Sequence, residues 1–193
     1  AGLSAAPRRL LVAITGASGA IYGIRALQML RELDIETHLI LTPTARLTIA
    51  QETDLTPAQV EALATVCYDP NDLAAPPASG SFVTVGMLVA PCSIKALSAV
   101  ANSYTADLMA RTADVCLKEG RPLLLAVRET PLHRGHLRLL EQAAEAGAII
   151  FPPVPAFYSR PQTIDEMVTH SVARMLLRMG IENTRYIEWG KED

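Results

Sequence analysis

The chain has 193 residues, of which 50% are hydrophobic and 19% charged, and its formal net charge is −3. This length and apolar fraction predict a single domain with an ample core. The slightly acidic charge balance argues against nucleic acid or an anionic membrane as a partner. The sequence has no apolar run of about 20 residues, so it does not predict a membrane-spanning helix. Cys67, Cys92 and Cys116 are odd in number and widely spaced, which predicts reduced thiols in a cytoplasmic protein rather than disulfides or a zinc site.

Strand-like and helix-like patterns alternate along the chain. Strands are predicted at residues 9–15, 36–41, 87–90, 122–127 and 148–151, and helices at 20–33, 44–51, 57–64, 93–100, 111–118, 132–146 and 164–179. Residues 69–81 are rich in Pro, Gly and Ser, which predicts a loop. Short apolar strands separated by helices predict a parallel, doubly wound sheet. We therefore expect a flexible segment at 1–8 and one α/β domain at 9–193, with a three-layer αβα fold of the Rossmann-like or flavodoxin-like class.

A turn of small residues, Gly16-Ala17-Ser18-Gly19, joins the first predicted strand to the first predicted helix. In α/β proteins such a turn directs backbone N–H groups toward a phosphate, and ligands bind beyond the carboxyl ends of the strands. The other predicted strands lead at that edge into Thr42, the run Pro91-Cys92-Ser93-Ile94-Lys95, the pair Arg128-Glu129 and residues 152–158. Hydroxyls, small residues and two cations therefore gather at one edge, which favours a phosphorylated ligand.

The turn is also similar to the nucleotide-binding turn of short-chain dehydrogenases, but two features of that class are missing. The end of the second strand, Leu39-Ile40-Leu41-Thr42, offers no acid for a ribose, and no tyrosine has a lysine four residues later. The Walker spacing of P-loop ATPases is missing as well. A hydride-transferring dehydrogenase and an ATPase are therefore disfavoured.

Three longer motifs carry a resemblance to a known family. They are Thr15-Gly16-Ala17-Ser18-Gly19-Ala20 with Tyr22-Gly23, Pro91-Cys92-Ser93 with Leu97-Ser98, and Arg128-Glu129-Thr130-Pro131-Leu132 with His136-Leu137. Outlying matches are Glu52-Thr53-Asp54, Ser79-Gly80-Ser81-Phe82, residues 111–115 with 117–119, and residues 152–158. With these seven blocks in order over nearly the whole chain, the sequence resembles the UbiX family of flavin prenyltransferases.

The resemblance implies a reaction in which the dimethylallyl group of dimethylallyl monophosphate joins reduced FMN at N5 and C6. It implies that no metal takes part and that the prenylated FMN becomes the cofactor of UbiD-type decarboxylases, for example in ubiquinone biosynthesis. It also implies a cytoplasmic homo-oligomer, a dodecamer, with sites between subunits.

The resemblance also implies roles for individual residues. FMN is expected to be held by Gly16, Ala17, Ser18, Thr42, Ser93, Ile94, Lys95, Ala96 and Arg128. The prenyl donor is expected to contact Arg111, Lys118, Arg128, Glu129, Tyr158, Arg174 and Trp189. The expected catalytic residues are Ser18, Glu52, Lys118 and Glu129.

These residue types suit the expected chemistry. A monophosphate is a weak leaving group, so cations must stabilise the charge that builds on it as the C–O bond breaks. Arginine offers planar two-point contacts to phosphate oxygens. The allyl fragment needs an apolar pocket without water, where Trp189 can supply cation–π contact of about 1–2 kcal/mol. For proton transfer, Glu129, the departing phosphate and Ser18 remain open alternatives.

Several of these residues also have simpler structural interpretations. Arg111, Asp114 and Lys118 are spaced as on a solvated helix face with local ion pairs. Arg174 lies among apolar residues of a predicted helix, where a surface arginine is the default, while Tyr158 and Trp189 can serve to dock a loop and a tail. Outside this set, His133 and His136 have metal-ligand spacing, but local capping is the favoured role.

Two other functions remain as alternatives. An FMN-dependent cysteine decarboxylase has a related fold, but its active-site histidine is replaced here by Glu52-Thr53-Asp54 and its Asn-rich motif is absent. A non-catalytic FMN carrier needs the turn and Arg128 but has no use for Arg174 and Tyr158.

Overall fold

The computed structural model describes residues 8–190, and apart from Arg8 the predicted flexible segment lies outside the described residues. A parallel sheet of six strands forms the centre. The strands are β1 (Arg9–Ile14), β2 (Glu36–Leu41), β3 (Val66–Tyr68), β4 (Met87–Cys92), β5 (Leu123–Val127) and β6 (Ile149–Ile150). They lie in the order β3-β2-β1-β4-β5-β6, which is the strand order of Rossmann sheets. Without the short edge strand β3, the remaining five have the flavodoxin-like order.

Helices cover both faces of the sheet. They are α1 (Ala20–Glu32), α2 (Pro43–Glu52), α3 (Pro57–Glu61), α4 (Ile94–Ala101), α5 (Leu108–Lys118), α6 (Arg134–Glu145) and α7 (Ile164–Arg178), with a 3-10 turn at Pro76–Ala78. Side chains of β1 alternate between two cores, so that Leu10, Val12 and Ile14 pack with α1 and α7. Leu11 and Ala13 face the other way, toward α4, α5 and α6. The predicted three-layer αβα architecture is therefore confirmed.

The strand β3 was missed by the sequence analysis, which predicted five strands. It pairs with β2 through His38↔Val66 and Ile40↔Tyr68. Three residues at the edge of a sheet, none of them fully buried, are too few to show an alternating or continuous apolar pattern. The prediction that Pro91 ends the third predicted strand was also wrong, because β4 continues to Cys92 after an irregularity in its register with β5.

The helix α1 crosses β4 closely because Gly23 has no side chain. A Cβ atom there would lie 2.4 Å from the carbonyl oxygen of Ala90 and 2.5 Å from Cγ1 of Ile14. Since Ala90 presents backbone at this point, the contact cannot be relieved by a rotamer change. Gly23 thus sets the distance between α1 and the sheet, and with it the position of the turn before α1.

We expect Gly23→Ala to lower the free energy of unfolding by about 2 kcal/mol or more, because the helix must move away from β4. The measurement is urea denaturation. The control is Gly120→Ala, which adds the same methyl group where no atom lies within 4 Å, at a φ of +67°. That control carries only the backbone cost of about 1 kcal/mol, and equal losses in the two variants would contradict the packing argument.

Candidate functional site

A cleft of about 560 Å³ opens at the carboxyl edge of the sheet. Its size is typical of a small-molecule site, and its place is where doubly wound sheets bind ligands. The cleft is lined by Gly16, Ala17, Ser18, Ser93, Ile94, Val127, Arg128, Glu129, Thr130, Pro152, Pro153, Val154 and Pro155. The structure therefore brings together seven of the predicted site residues, which come from the ends of β1, β4 and β5.

The turn before α1 is fixed by the carboxylate of Glu52, the last residue of α2. Ser18 Oγ donates to Glu52 Oε2 at 2.6 Å, and the N–H groups of Gly19 and Ala20 donate to Oε1 at 2.8 and 3.4 Å. The N-cap residue Gly19 has a φ of +104° and no side chain, so Glu52 does the capping that an N-cap side chain normally does. These hydrogen bonds join Glu52 to the turn that lines the cleft.

Partial burial acts to raise the pKa of Glu52, but other effects outweigh it. The hydrogen bonds from Ser18, Gly19 and Ala20, together with the charge of Arg128, hold the pKa below its ordinary value. Glu52 is therefore a carboxylate at neutral pH, and Ser18 is the donor of the bond between them.

Backbone N–H groups without hydrogen bonds lie in the turn that lines the cleft. Within the part of the chain that the structure describes, the N–H groups of Gly16, Ala17 and Ser18 make no hydrogen bond. A Cβ atom on Gly16 would lie 2.4 Å from Cγ2 of Thr44, so the turn passes too close to α2 for a side chain. Three adjacent N–H groups without partners, next to a helix N-terminus, are suited to binding an anion.

The first turn of α4 forms the opposite wall of the cleft. Its N-cap, Ser93, accepts from the N–H of Ala96 at 3.1 Å, and the N–H of Ser93 donates to Thr15 Oγ1 at 2.8 Å. Ile94 lines the cleft, whereas Lys95 is exposed beside it and Ala96 is buried with its N–H already bonded. The predicted run 93–96 thus lies at this edge, but Ala96 has no free donor for a ligand.

A cationic and an acidic side chain at the end of β5 also line the cleft. Arg128 is exposed, and its Nη1 donates to the carbonyl oxygen of Ser18 at 2.9 Å. Glu129 is also exposed and accepts from the N–H of Thr130 at 3.1 Å. Thr42 lies at the same edge as the N-cap of α2, with its Oγ1 accepting from Ala45 at 3.2 Å. One guanidinium therefore lies beside the free N–H groups, as an anion site requires.

Two other predicted donor-binding residues lie elsewhere in the chain. Lys118 ends α5 and pairs with Glu119 at 2.7 Å, at the edge of the sheet where strands begin. Arg111 donates from Nε to the carbonyl oxygen of Ala78 at 3.1 Å and lies 4.0 Å from Asp114. Within one chain, these side chains form the local pairs of a solvated helix face and do not line the cleft.

Tyr158, Arg174 and Trp189 form a separate group with the segment that follows α7. The rings of Tyr158 and Trp189 meet edge to face with centroids 5.2 Å apart, and the Tyr158 hydroxyl donates to the carbonyl oxygen of Ile187 at 2.8 Å. The Arg174 guanidinium lies 5.8 Å from the ring centre of Tyr186. Burial, and next the hydrogen bond with Tyr186, raise the pKa of Tyr158 to about 12, so its hydroxyl remains a donor at neutral pH.

Comparison with known proteins decides the family. The family model described as Flavoprotein matches residues 3–175. The flavin prenyltransferase UbiX of Escherichia coli K12 is 58% identical over 175 residues, which cover 90% of this chain and 93% of that protein. The chain belongs to the UbiX family of flavin prenyltransferases.

Solved structures of UbiX proteins agree with this assignment. AnUbiX (PadA1), in complex with FMN and dimethylallyl pyrophosphate, is 47% identical with a TM-score of 0.95, covering 97% of this chain and all of that one. A dodecameric FMN-dependent UbiX-like decarboxylase from Escherichia coli O157:H7 is 44% identical with a TM-score of 0.92, over 95% of this chain and 100% of that one. The FMN-dependent cysteine decarboxylase SpaF, at 18% identity and a TM-score of 0.61 over 74% of this chain and 82% of its own, shares the fold alone.

Other candidate groups are not functional sites in this UbiX chain. His133 and His136 cap α6, since each ring accepts the other's backbone N–H at 3.2 and 3.4 Å. Burial raises the pKa of the Cys92 thiol to about 12, which makes it a poor nucleophile. Among residues 8–190, no three His, Cys, Asp or Glu side chains converge as metal ligands, and no helix has the length and apolar character to cross a membrane.

The sequence analysis missed residues that support the site. Thr15 bridges β1 to β4, because its Oγ1 donates to the carbonyl oxygen of Pro91 at 2.7 Å and accepts from Ser93. Thr44 packs against Gly16. A buried threonine at a strand end is a usable signal for Thr15, whereas His170 and Tyr186, which contact Tyr158, have no local pattern that points to them.

We expect Ser18→Ala to raise the pKa of Glu52 toward 4.5, because it removes a hydrogen bond that favours the carboxylate. Stability from a depressed carboxyl pKa is present above the ordinary value and is lost as the pH falls through the folded value. In the variant that loss is therefore smaller, and it is complete at a higher pH. Titration of the glutamate carboxyl carbons by NMR measures the shift, and Ser98→Ala is the control. An unchanged Glu52 pKa would contradict the assigned hydrogen bond.

Proposed function

We propose that this chain transfers the dimethylallyl group of dimethylallyl monophosphate to N5 and C6 of reduced FMN and so produces prenylated FMN. One observation carries the proposal: the free N–H groups of residues 16–18 and the Arg128 guanidinium share one cleft in a UbiX family member. The proposal extends to the product, which serves as the cofactor of a UbiD-type decarboxylase in the cytoplasm.

The residues of the cleft fit FMN. Gly16, Ala17 and Ser18 offer unpaired donors for its phosphate. The small turn and the α4 N-terminus at Ser93 and Ile94 leave a gap deep enough for a flat ring system, and Thr42 and Lys95 lie at its margin. Ala96 contributes packing, since its N–H is already used. When bound and reduced, the flavin supplies the electron-rich N5 and C6 that the allyl group joins.

Positive side chains stabilise the negative charge of the leaving phosphate. The C–O bond of the donor breaks with its electron pair going to the phosphate, while carbon bonds form at N5 and C6 and one proton in the net reaction leaves with the phosphate. Arg128 in the cleft, together with Arg111, Lys118 and Arg174, stabilises the charge on the departing oxygen without a metal ion. The exposed Trp189 and Tyr158 rings shield the allyl group from water.

Two carboxylates are available to move protons. Glu129 is exposed at the cleft, where it can take a proton during ring closure. The pair Ser18 and Glu52, bonded at 2.6 Å, can pass a proton between the turn and the flavin N5. Since Glu52 is held as a carboxylate, it is the acceptor of this pair.

We further propose that the site is shared between copies of the chain in a homo-oligomer, a dodecamer. The three groups expected at the prenyl donor lie apart within one chain: the cleft, the end of α5 and the tail beside α7. Beside the cleft, Val154 and Phe157 are 75% and 71% exposed, and Ile164 at the start of α7 is 81% exposed. Association would cover these apolar side chains and bring the missing cations to the cleft.

The transferase reaction is tested with reduced FMN and dimethylallyl monophosphate under anaerobic conditions. We expect mass spectrometry to find a flavin heavier by one five-carbon unit. Arg174→Ala should keep FMN affinity and lose about 10²-fold or more in turnover, because a cation at the leaving group is removed.

The control for Arg174 is Arg178→Ala, which removes the same charge one turn along α7. An unchanged flavin mass with wild-type protein would exclude the transferase and leave the FMN carrier. Decarboxylation of a cysteine substrate, without prenyl transfer, would support the alternative enzyme class. Parallel assays with the diphosphate identify the preferred donor.

The shared site is tested by mixing two inactive variants. Arg128→Ala disables the cleft. Arg174→Ala disables the tail cluster, the group formed by Tyr158, Arg174 and Trp189. If each site combines the cleft of one copy with the tail of another, co-expression restores part of the activity, because some sites contain both arginines. Each variant expressed alone is the control. Mixed oligomers, verified by differential tags, that remain inactive would place both arginines in one chain's site.

A further inference from the structure

The segment after α7 is attached around one buried imidazole, that of His170. His170 is 8% exposed, whereas Tyr158 and Trp189 are 36% and 77% exposed. The His170 ring stacks on Tyr186 with centroids 5.0 Å apart and meets Tyr158 edge to face at 5.6 Å. Its Nε2 lies 3.3 Å from the carbonyl oxygen of Ile187. Because a carbonyl oxygen only accepts, Nε2 carries the hydrogen of this bond.

The three residues proposed for the prenyl donor around this segment contact His170 directly or through one other ring. Tyr158 touches the imidazole directly, and its hydroxyl shares the Ile187 carbonyl oxygen with Nε2. The Trp189 ring packs edge to face against the Tyr158 ring. Arg174 lies over Tyr186, whose ring also stacks on the His170 ring. Movement of His170 would therefore displace all three.

Apolar packing also holds this segment, because Ile181 is buried in the core beside α7 and Tyr186 packs against the same core. The described residues after α7 form no helix or strand, and their side-chain bonds to the body include Asn183 to the carbonyl oxygen of Ala173 at 3.1 Å and Arg185 to Glu32 at 3.3 Å. The second of these is an exposed ion pair, which contributes little to attachment. An apolar side chain at position 170 would leave the Ile187 carbonyl with one donor fewer and would remove one stacking face for Tyr186.

We propose that His170 is a positioning residue for the prenyl donor. It does not touch the reacting atoms. It holds Tyr158, Trp189 and, through Tyr186, Arg174 in the arrangement that receives the dimethylallyl phosphate. This inference rests on the proposed function for its substrate, and it concerns only the donor, since the FMN cleft is built from other elements.

The test compares His170→Leu with His170→Gln, whose amide can place an N–H near the position of Nε2. For His170→Leu we expect KM for dimethylallyl monophosphate to rise about tenfold, as loss of a hydrogen bond and a ring contact predicts. FMN affinity should remain within about twofold of wild type. His170→Gln should recover most of the donor KM. A merely structural histidine predicts instead that FMN affinity and kcat fall while KM rises, without recovery in His170→Gln.

A matched control and a second readout keep the outcome clear. Thr169→Ala removes one of the bonds that join α7 to Arg25 of α1 and leaves the tail cluster untouched, so it reports general loosening of α7. Trp189 is the single tryptophan of the chain, so its fluorescence anisotropy measures attachment of the segment without any turnover. We expect a faster local motion of Trp189 in His170→Leu and wild-type behaviour in Thr169→Ala.

The proposed function and the role of His170 can fail separately. If wild-type protein makes no prenylated flavin, the proposed function is wrong, and the inference is then decided by calorimetric binding of dimethylallyl monophosphate to the FMN-loaded protein. Unchanged donor affinity or KM in His170→Leu overturns the positioning role. A rise in donor KM of the same size in Thr169→Ala overturns it as well.

Discussion

The hydrogen bonds of Glu52 to the turn before α1 are the constraint on which the site depends. A helix N-terminus has N–H groups without partners inside the helix, and they attract any nearby anion. Here Gly19 has no side chain to cap α1, and the Glu52 carboxylate takes the donors of Gly19 and Ala20. The N–H groups of Gly16, Ala17 and Ser18, in the turn before the helix, make no such bond. The turn therefore offers donors that Glu52 does not occupy, as the proposed phosphate site needs.

In the proposed site, a phosphate would be the second anion at this helix end, and its repulsion with Glu52 would have to be offset. Arg128 is close enough to lower the pKa of Glu52 and donates to the Ser18 carbonyl oxygen at 2.9 Å. One guanidinium therefore stabilises the carboxylate and the conformation of the turn together. Its aliphatic stem passes near Gly19, where a Cβ atom would lie 3.0 Å from Arg128 Cδ. A side chain at position 19 would push the arginine outward and weaken both roles.

Much of this cleft follows from the sequence through the rule that parallel strands end at a common edge. That rule placed the turn, Ser93 and Arg128 together because each follows an apolar run. Glu52 follows no strand, so its place rested on resemblance, and the contact with Ser18 came from how α2 packs beside α1. The positions of Lys118, Arg174 and Trp189 were not predictable in this way. Helical periodicity tells which face is exposed, but it does not tell which copy of the chain covers that face.

The cations outside the cleft are already engaged within their own chain, and this bears on how an oligomeric site would work. Lys118 pairs with Glu119, which lowers the pKa of that carboxyl, and Arg174 lies on Tyr186. Both contacts are exposed and weak, whereas charge-assisted bonds to a phosphate are stronger. A phosphate can therefore displace them at little cost. Until it arrives, the local partners limit the positions that these long side chains adopt, which reduces the conformational entropy lost when the donor binds.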